Sequence, residues 1–297
     1  MLQQIGSALL AGFLIVLQFV TGVLGYLDGV PGSGSRPVAP PENITPAQSV
    51  TLRVATYNVK NCVDGTAVEE IAQDINTNSL DIVCLQELDR GGTRAGGKNL
   101  LRMLSQKTLP YYRFFPAIGL PGNEYGIGIL SRYPFEAVEL HRLETGLEEG
   151  RVLGGVTIRA DGIPVRIYNT HLSFERTELR TNQIAVISKT LRGKAPCLLM
   201  GDFNILDFSE LDGFQGMTPV NTAQRPIVTF PSDDGSEYPY LDNILFSASV
   251  ECCWAKPYVQ TVSDHIMLMA EVTVENPEVK PDEAGNHLSL PRPDGCF

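Results

Sequence analysis

Cys197-Leu198-Leu199-Met200-Gly201-Asp202-Phe203-Asn204 is a short apolar run that stops on an acid and an amide. A continuous apolar run of this length, bounded by a glycine, predicts a strand buried on both faces. Working outward, similar β-branched or apolar runs recur at Leu52–Tyr57, Ile82–Leu85, Gly126–Leu130, Val152–Ile158, Val165–Tyr168, Ile244–Phe246 and Ile266–Val272. Helical patterns fall between some of them. Thr66-Ala67-Val68-Glu69 has the form of a capping box, with Ile71, Ala72 and Ile75 on one face behind it. Further helices are expected over Gly97–Gln106 and Arg176–Leu191. Many strands with a few interspersed helices predict an α/β or α+β sandwich.

The chain has 297 residues, 43% hydrophobic and 19% charged, which excludes disordered and fibrous classes. Net charge is −11, from 23 basic and 34 acidic residues, a poor basis for gripping duplex nucleic acid over the whole surface. The cysteines at 62, 84, 197, 252, 253 and 296 show no CxxC spacing, which excludes a zinc ribbon or thioredoxin motif. Cys84 and Cys197 sit inside strand runs and are expected as packed thiols.

No charged residue precedes Asp28, and Ala8–Gly25 is apolar except for Gln18 and Thr21. That length suits a signal peptide or a membrane anchor over residues 1–27, with a buried core helix as the alternative. Residues 28–50 form a linker rich in Pro, Gly and Ser. A single catalytic domain is expected over 51–275 and an irregular tail over 276–297. The domain is placed outside the cytoplasm, membrane-anchored or secreted.

Polar residues gather where the apolar runs end. Asn58, Glu87, His171, Asp202 and Asn204 follow strand runs, while Asp242 and the pair Asp264-His265 precede them. If these ends share one edge, they form a polar cluster on the rim of an apolar body. Oxygen donors of this kind suit Mg²⁺, or Mn²⁺, rather than zinc. A hard cation beside imidazole and amide donors suits phosphoester hydrolysis by water.

Thr56-Tyr57-Asn58, Leu85-Gln86-Glu87, Asn169-Thr170-His171-Leu172, Gly201-Asp202-Phe203-Asn204, Leu241-Asp242-Asn243-Ile244 and Ser263-Asp264-His265 together resemble the motif set of the endonuclease/exonuclease/phosphatase superfamily. The resemblance implies a two-sheet β-sandwich flanked by helices in four layers, behind the N-terminal apolar helix. It implies that Glu87 is the main metal ligand, supported by Asn58 and Asp264. By the same resemblance Asp202 orients or deprotonates the attacking water and Asn204 holds a phosphate oxygen. His265 contacts the scissile phosphate, Asp242 orients that imidazole, and His171 donates to the phosphate or protonates the leaving group. Abasic-site endonucleases generally carry a tyrosine in place of that histidine. The departure turns this chain towards the deoxyribonuclease, sphingomyelinase and phosphatase branches. Glu124 is a candidate partner for His171.

Gly92–Asn99 fits most of a P-loop, but Asn99 stands where a Ser or Thr hydroxyl is needed, and no apolar run leads directly into Gly92. Arg90, Arg94, Lys98 and Arg102 recur at four-residue spacing, and on a helix they would share a face. They are a candidate cationic lip for an anionic substrate. The expected activity is a divalent-metal-dependent phosphodiesterase, a monomer acting on a lipid head group or nucleic acid near the membrane surface. Alternatives are a secreted deoxyribonuclease-like endonuclease and a catalytically silent relative that binds a partner. The absence of a G-x-S-x-G elbow excludes an ordinary acyl hydrolase.

Overall fold

The computed structural model describes residues 47–231, 235, 237–259 and 262–279. The expected leader and nearly all of the linker and tail lie outside the described residues. Among the described residues no helix is long and apolar enough to cross a membrane.

Two six-stranded mixed sheets face each other. The first contains β1 (Ser49–Asn58), β2 (Ile82–Arg90), β3 (Tyr111–Leu120), β4 (Asn123–Ser131), β13 (Val250–Tyr258) and β14 (Met267–Glu275), in the order β13-β14-β1-β2-β4-β3. The second contains β5 (Phe135–Leu143), β6 (Arg151–Ala160), β7 (Ile163–His171), β8 (Cys197–Asp202), β9 (Met217–Pro219) and β12 (Asp242–Ser247), in the order β5-β6-β7-β8-β12-β9. A small hairpin, β10 (Phe230–Pro231) with β11 (Glu237–Tyr238), precedes β12. Helix α1 (Val68–Thr77) and α2 (Leu100–Lys107) cover the first sheet, and α3 (Thr177–Leu191) covers the second. This is the four-layer sandwich that the motifs imply.

Period-two alternation explains why the central strands read as unbroken apolar runs. Ile82 and Cys84 point into the core between the sheets, while Val83 and Leu85 point under α1 and α2. Leu198 and Met200 likewise enter the inter-sheet core, and Leu199 packs against Ile184 and Ile187 of α3. Both faces of these strands are dry, so neither face can be polar. Cys84 and Cys197 are free and buried, as packed thiols should be.

Each sheet has one parallel pair joined through a helix, β1 with β2 and β7 with β8. Parallel pairing brings C-terminal ends together, so Asn58 lies opposite Gln86 and His171 opposite Asp202. Antiparallel β12 enters beside β8 and sets Asp242 opposite Asp202. β14 begins at the same edge, with Leu268 opposite Thr56.

Several local expectations are corrected. Thr66 does not cap α1; its hydroxyl donates to the Val63 carbonyl, and Ala67 occupies the cap position. Lys60–Asp64 form a left-handed turn with φ between 44° and 54°, which leaves Thr66 in the exit of that turn. α2 starts at Leu100, not Gly97, because Asn99 caps it by accepting from the Arg102 N–H. β14 starts at Met267, one residue after the expected Ile266.

Candidate active site

The site is built at the edge where the two parallel pairs end. A register shift between Leu85 and Leu88 in β2 leaves Glu87 in a bulge with φ 58°. The bulge re-aims its carboxylate while β2 continues to Arg90. Asn58 Nδ2 donates to Glu87 Oε1 at 3.0 Å and to Asp202 Oδ2 at 3.1 Å, tying the two sheets together. The Asn58 carbonyl accepts from Ser263 Oγ at 2.8 Å, and that hydroxyl is 3.3 Å from Asp264 Oδ1. Glu87 and Asp264 therefore stand on one edge, on either side of Asn58.

Asp202 Oδ2 is the focus of the cluster. Besides Asn58, His171 Nε2 lies 3.5 Å from it and His265 Nε2 lies 3.7 Å away. Burial, and then the like charge of Asp242, pushes Asp202 up to about 7 against the pull of His265 and Asn58. The other oxygen, Oδ1, accepts from the Asn204 N–H at 3.0 Å. Asn204 reaches this position with φ 49°, and its side chain donates to the Leu172 carbonyl at 3.0 Å. Gly201 is required here, since a Cβ would collide with the Thr170 carbonyl of β7.

His265 Nδ1 meets Asp242 Oδ2 at 2.8 Å. Burial opposes charge on this ring, but Asp242 and then Asp202 outweigh it and lift His265 to about 10. His171 is the reverse case. Burial, then Arg151 and His265, drives it well below the ordinary imidazole range. Arg151 Nη1 lies 3.2 Å from His171 Nδ1. A guanidinium can only donate, so Nδ1 accepts and the hydrogen of the neutral ring sits on Nε2, facing Asp202.

Arg151 is a candidate site residue that sequence reading missed. The signal was present, for it stands directly before the apolar run Val152–Ile158. Its side chain is buried at 2% exposure, and Glu149 Oε1 meets the same Nη1 at 2.6 Å. Lys60 was missed too; its ammonium lies 2.8 Å from Asp264 Oδ2. With burial working the other way, that ammonium and His265 hold the Asp264 carboxyl below its ordinary value.

The proposed cationic lip is not a helical face. Arg90 ends β2, Arg94 lies in a turn, Lys98 precedes the cap, and only Arg102 is helical. Arg90 is buried and gives Glu124 a two-pronged ion pair, 2.7 Å from Nε and 2.8 Å from Nη2. Glu124 thus serves Arg90 and not His171. Arg94 stays half exposed and pairs with Asp89 at 2.9 Å.

Of the two expected objections to a P-loop, Asn99 in place of a hydroxyl stands, and the missing strand is corrected. β2 does lead almost directly into the loop, but the loop amides are already used. Ala95, Gly96, Gly97 and Lys98 N–H groups donate to carbonyls of residues 92–95. Those four are therefore not left to cradle a phosphate.

Two groups of donors bear on a metal. Asp202, Asp242 and His265 offer ligand atoms within 4.8 Å of one another. The Asp242–His265 hydrogen bond already engages two of them, although Asp242 Oδ1 is buried without a partner. Glu87 is only partly buried and the Asp264 side chain is 36% exposed. These oxygens, with a lysine ammonium already seated on one carboxylate, have the chemistry a hard divalent cation requires.

The model of the endonuclease/exonuclease/phosphatase family matches residues 55–265, spanning every candidate site residue. The chain belongs to this family. Solved structures agree on the fold. An endonuclease/exonuclease/phosphatase from Beutenbergia cavernae DSM 12333 is similar at TM-score 0.63 and 20% identity, over 76% of this chain and 72% of that one. A mannosyl-6-phosphatase from Bacteroides thetaiotaomicron VPI-5482 is similar at TM-score 0.59 and 18% identity, over 74% of this chain and 99% of that one. D. rerio TDP2 complexed with a single-strand DNA product is similar at TM-score 0.59 and 19% identity, over 75% and 98%. No curated protein matches the chain. The family relationship supports hydrolysis of phosphoesters as the general activity.

Proposed function

We propose that the protein is a divalent-metal-dependent phosphodiesterase in which Asp202 receives a proton from the attacking water. The observation that carries this reading is the convergence of Asn58, His171 and His265 on one Asp202 oxygen at 3.1, 3.5 and 3.7 Å. A carboxylate raised to about 7 is a competent base near neutral pH. His265, held charged by Asp242, donates from Nε2 to a phosphoryl oxygen. His171 is neutral and donates a hydrogen bond from Nε2; its lowered basicity argues against its carrying a proton to the leaving group. Asn204 has a second amide hydrogen available for a phosphate oxygen.

Glu87, Asp264 and Asn58 are the residues that would hold Mg²⁺ or Mn²⁺. Such an ion supplies Lewis-acid neutralisation of charge on the phosphoryl group. Retention of every motif residue favours an enzyme over a silent binding relative. The apolar N-terminal run favours an extracytoplasmic site of action, anchored or exported.

A hydrolysis screen tests the reading. Plasmid DNA, RNA, sphingomyelin, phosphoinositides and an aryl phosphodiester are each offered with magnesium and with EDTA. Turnover that requires the metal on at least one diester supports the proposal. Turnover of monoesters alone would replace it with a phosphatase.

A further inference from the structure

Exposed apolar side chains are concentrated at one end of the sandwich. Among the described residues the large hydrophobic side chains left exposed are Val63, Ile118, Leu120, Leu147, Phe174, Val186, Leu206 and Val259. All but Val186, which lies on α3, are at the edge that carries the catalytic cluster. Strand direction places each of them. Val63 follows β1 beyond Asn58, Phe174 follows β7 beyond His171, and Leu206 follows β8 beyond Asp202. Val259 ends β13, whose Tyr258 pairs with Met267 at the start of β14. Leu147 lies in the connection that leads into Arg151. Ile118 and Leu120 lie at the β3–β4 hairpin, whose strand β4 sets Glu124 opposite Arg90.

Leu147 is wholly exposed, and Val259, Phe174 and Leu206 are 71%, 62% and 61% exposed. Among the described residues none of these side chains lies at the opposite edge. Single exposed leucines are ordinary, but their confinement to one rim is not. They sit on separate loops around the mouth. Lys60, Arg94 and Arg176 lie among them, each more than half exposed and each paired with a carboxylate. Apolar tips interleaved with charge-balanced basic groups have the chemistry of an element that lies in a headgroup layer.

The same chain carries a possible tether. Ala8–Gly25 is apolar, and Asp28–Ser49 joins it to the start of β1 at the edge away from the rim. That linker can reach at most about 70 Å, against about 33 Å for the length of β1. A membrane-held apolar segment and a rim facing the same membrane are therefore compatible.

We propose that this rim docks on a zwitterionic lipid bilayer, its apolar side chains entering the headgroup layer so that the catalytic mouth opens onto the membrane. The inference rests on the phosphodiesterase reading and assigns that site a membrane-presented substrate.

The test uses the full chain with Trp254→Phe, reconstituted with phosphatidylcholine vesicles bearing a shallow nitroxide quencher. A tryptophan is introduced singly as Leu206→Trp on the rim or Val186→Trp away from it. Docking predicts quenched, blue-shifted emission at 206 and unchanged emission at 186. The quench at 206 should be lost when Leu120→Asn, Phe174→Asn and Val259→Asn are added. Equal emission at both positions overturns the proposal. A blue shift at 206 that follows protein concentration without lipid also overturns it, by making the rim an interface between copies. Turnover of a soluble aryl phosphodiester is measured on the same samples. Its absence with the quench intact sinks the catalytic reading alone, and its presence without the quench sinks docking alone.

Discussion

His265 Nδ1 and Asp242 Oδ2 are 2.8 Å apart, both side chains largely buried, and that contact holds the imidazole charged with Nε2 turned towards Asp202. The arrangement fixes a pH window. On the proposed mechanism, activity needs Asp202 deprotonated, above about 7, and His265 protonated, below about 10. A plateau between those values is expected in the pH–rate profile. Asp242→Asn removes the largest influence raising His265, so the alkaline limb should move down towards 6.5, and because Asp242 also raises Asp202 the acid limb should move down with it. The maximal rate should fall by about 10²- to 10⁴-fold, the usual worth of a positioned acid–base group. For stability the sign runs the same way. A raised histidine contributes stability below 6.5 that is lost as pH rises towards 10. An unmoved alkaline limb in the variant would remove the dyad from the mechanism.

Arg151 acts through His171. Arg151→Met leaves Nδ1 of His171 without its donor, so the ring can move its hydrogen from Nε2 to Nδ1. The expected result is a lower kcat with little change in KM. Nitrogen NMR of the labelled histidine should show the tautomer shift. A lower kcat with unchanged nitrogen shifts would mean that Arg151 is only a packing residue.

The parts of this molecule legible in its sequence are those with both faces buried. Central strands such as β2 and β8 must be apolar at every position, and they announced themselves. β3, β5 and β13 escaped notice because each is an edge strand with a broken burial pattern. Their residues answer to solvent on one side, so no run forms. The candidate site residues were legible because each sits next to a readable strand end. The cations were not, since spacing along the chain says nothing about a buried carboxylate across the sheet. Arg90 finds Glu124 only through the pairing of β2 with β4.

That buried pair gives a prediction about stability alone. Glu124→Ala removes the two-pronged partner of the Arg90 charge, which is 8% exposed, and should cost about 3–5 kcal/mol. Denaturant midpoints measure it. Turnover per folded molecule should stay near the native value, and a selective loss of kcat would place Arg90 in the reaction after all.

Far from the site, Glu139 gathers Tyr168 Oη at 2.7 Å, Lys194 Nζ at 2.6 Å and His141 Nε2 at 3.1 Å. Burial works against it, but those hydrogen bonds hold its carboxyl at about 2. A depressed carboxyl contributes stability above 4.5 that is lost as pH falls towards 2. Its partly exposed position limits the effect to about 1 kcal/mol. Glu139→Gln should therefore narrow the stability difference between pH 7 and pH 3. An identical acid unfolding curve would contradict the assignment.

The central claim is that Glu87 helps hold a divalent cation that phosphodiester hydrolysis needs. Magnesium titration of aryl phosphodiester turnover, for the native chain and Glu87→Gln at matched folded concentration, tests it most directly. The native chain should be silent in EDTA and recover on adding magnesium, and the variant should lose about 10²-fold or more. Turnover indifferent to EDTA, or a variant as active as the native chain at the same magnesium concentration, would contradict it.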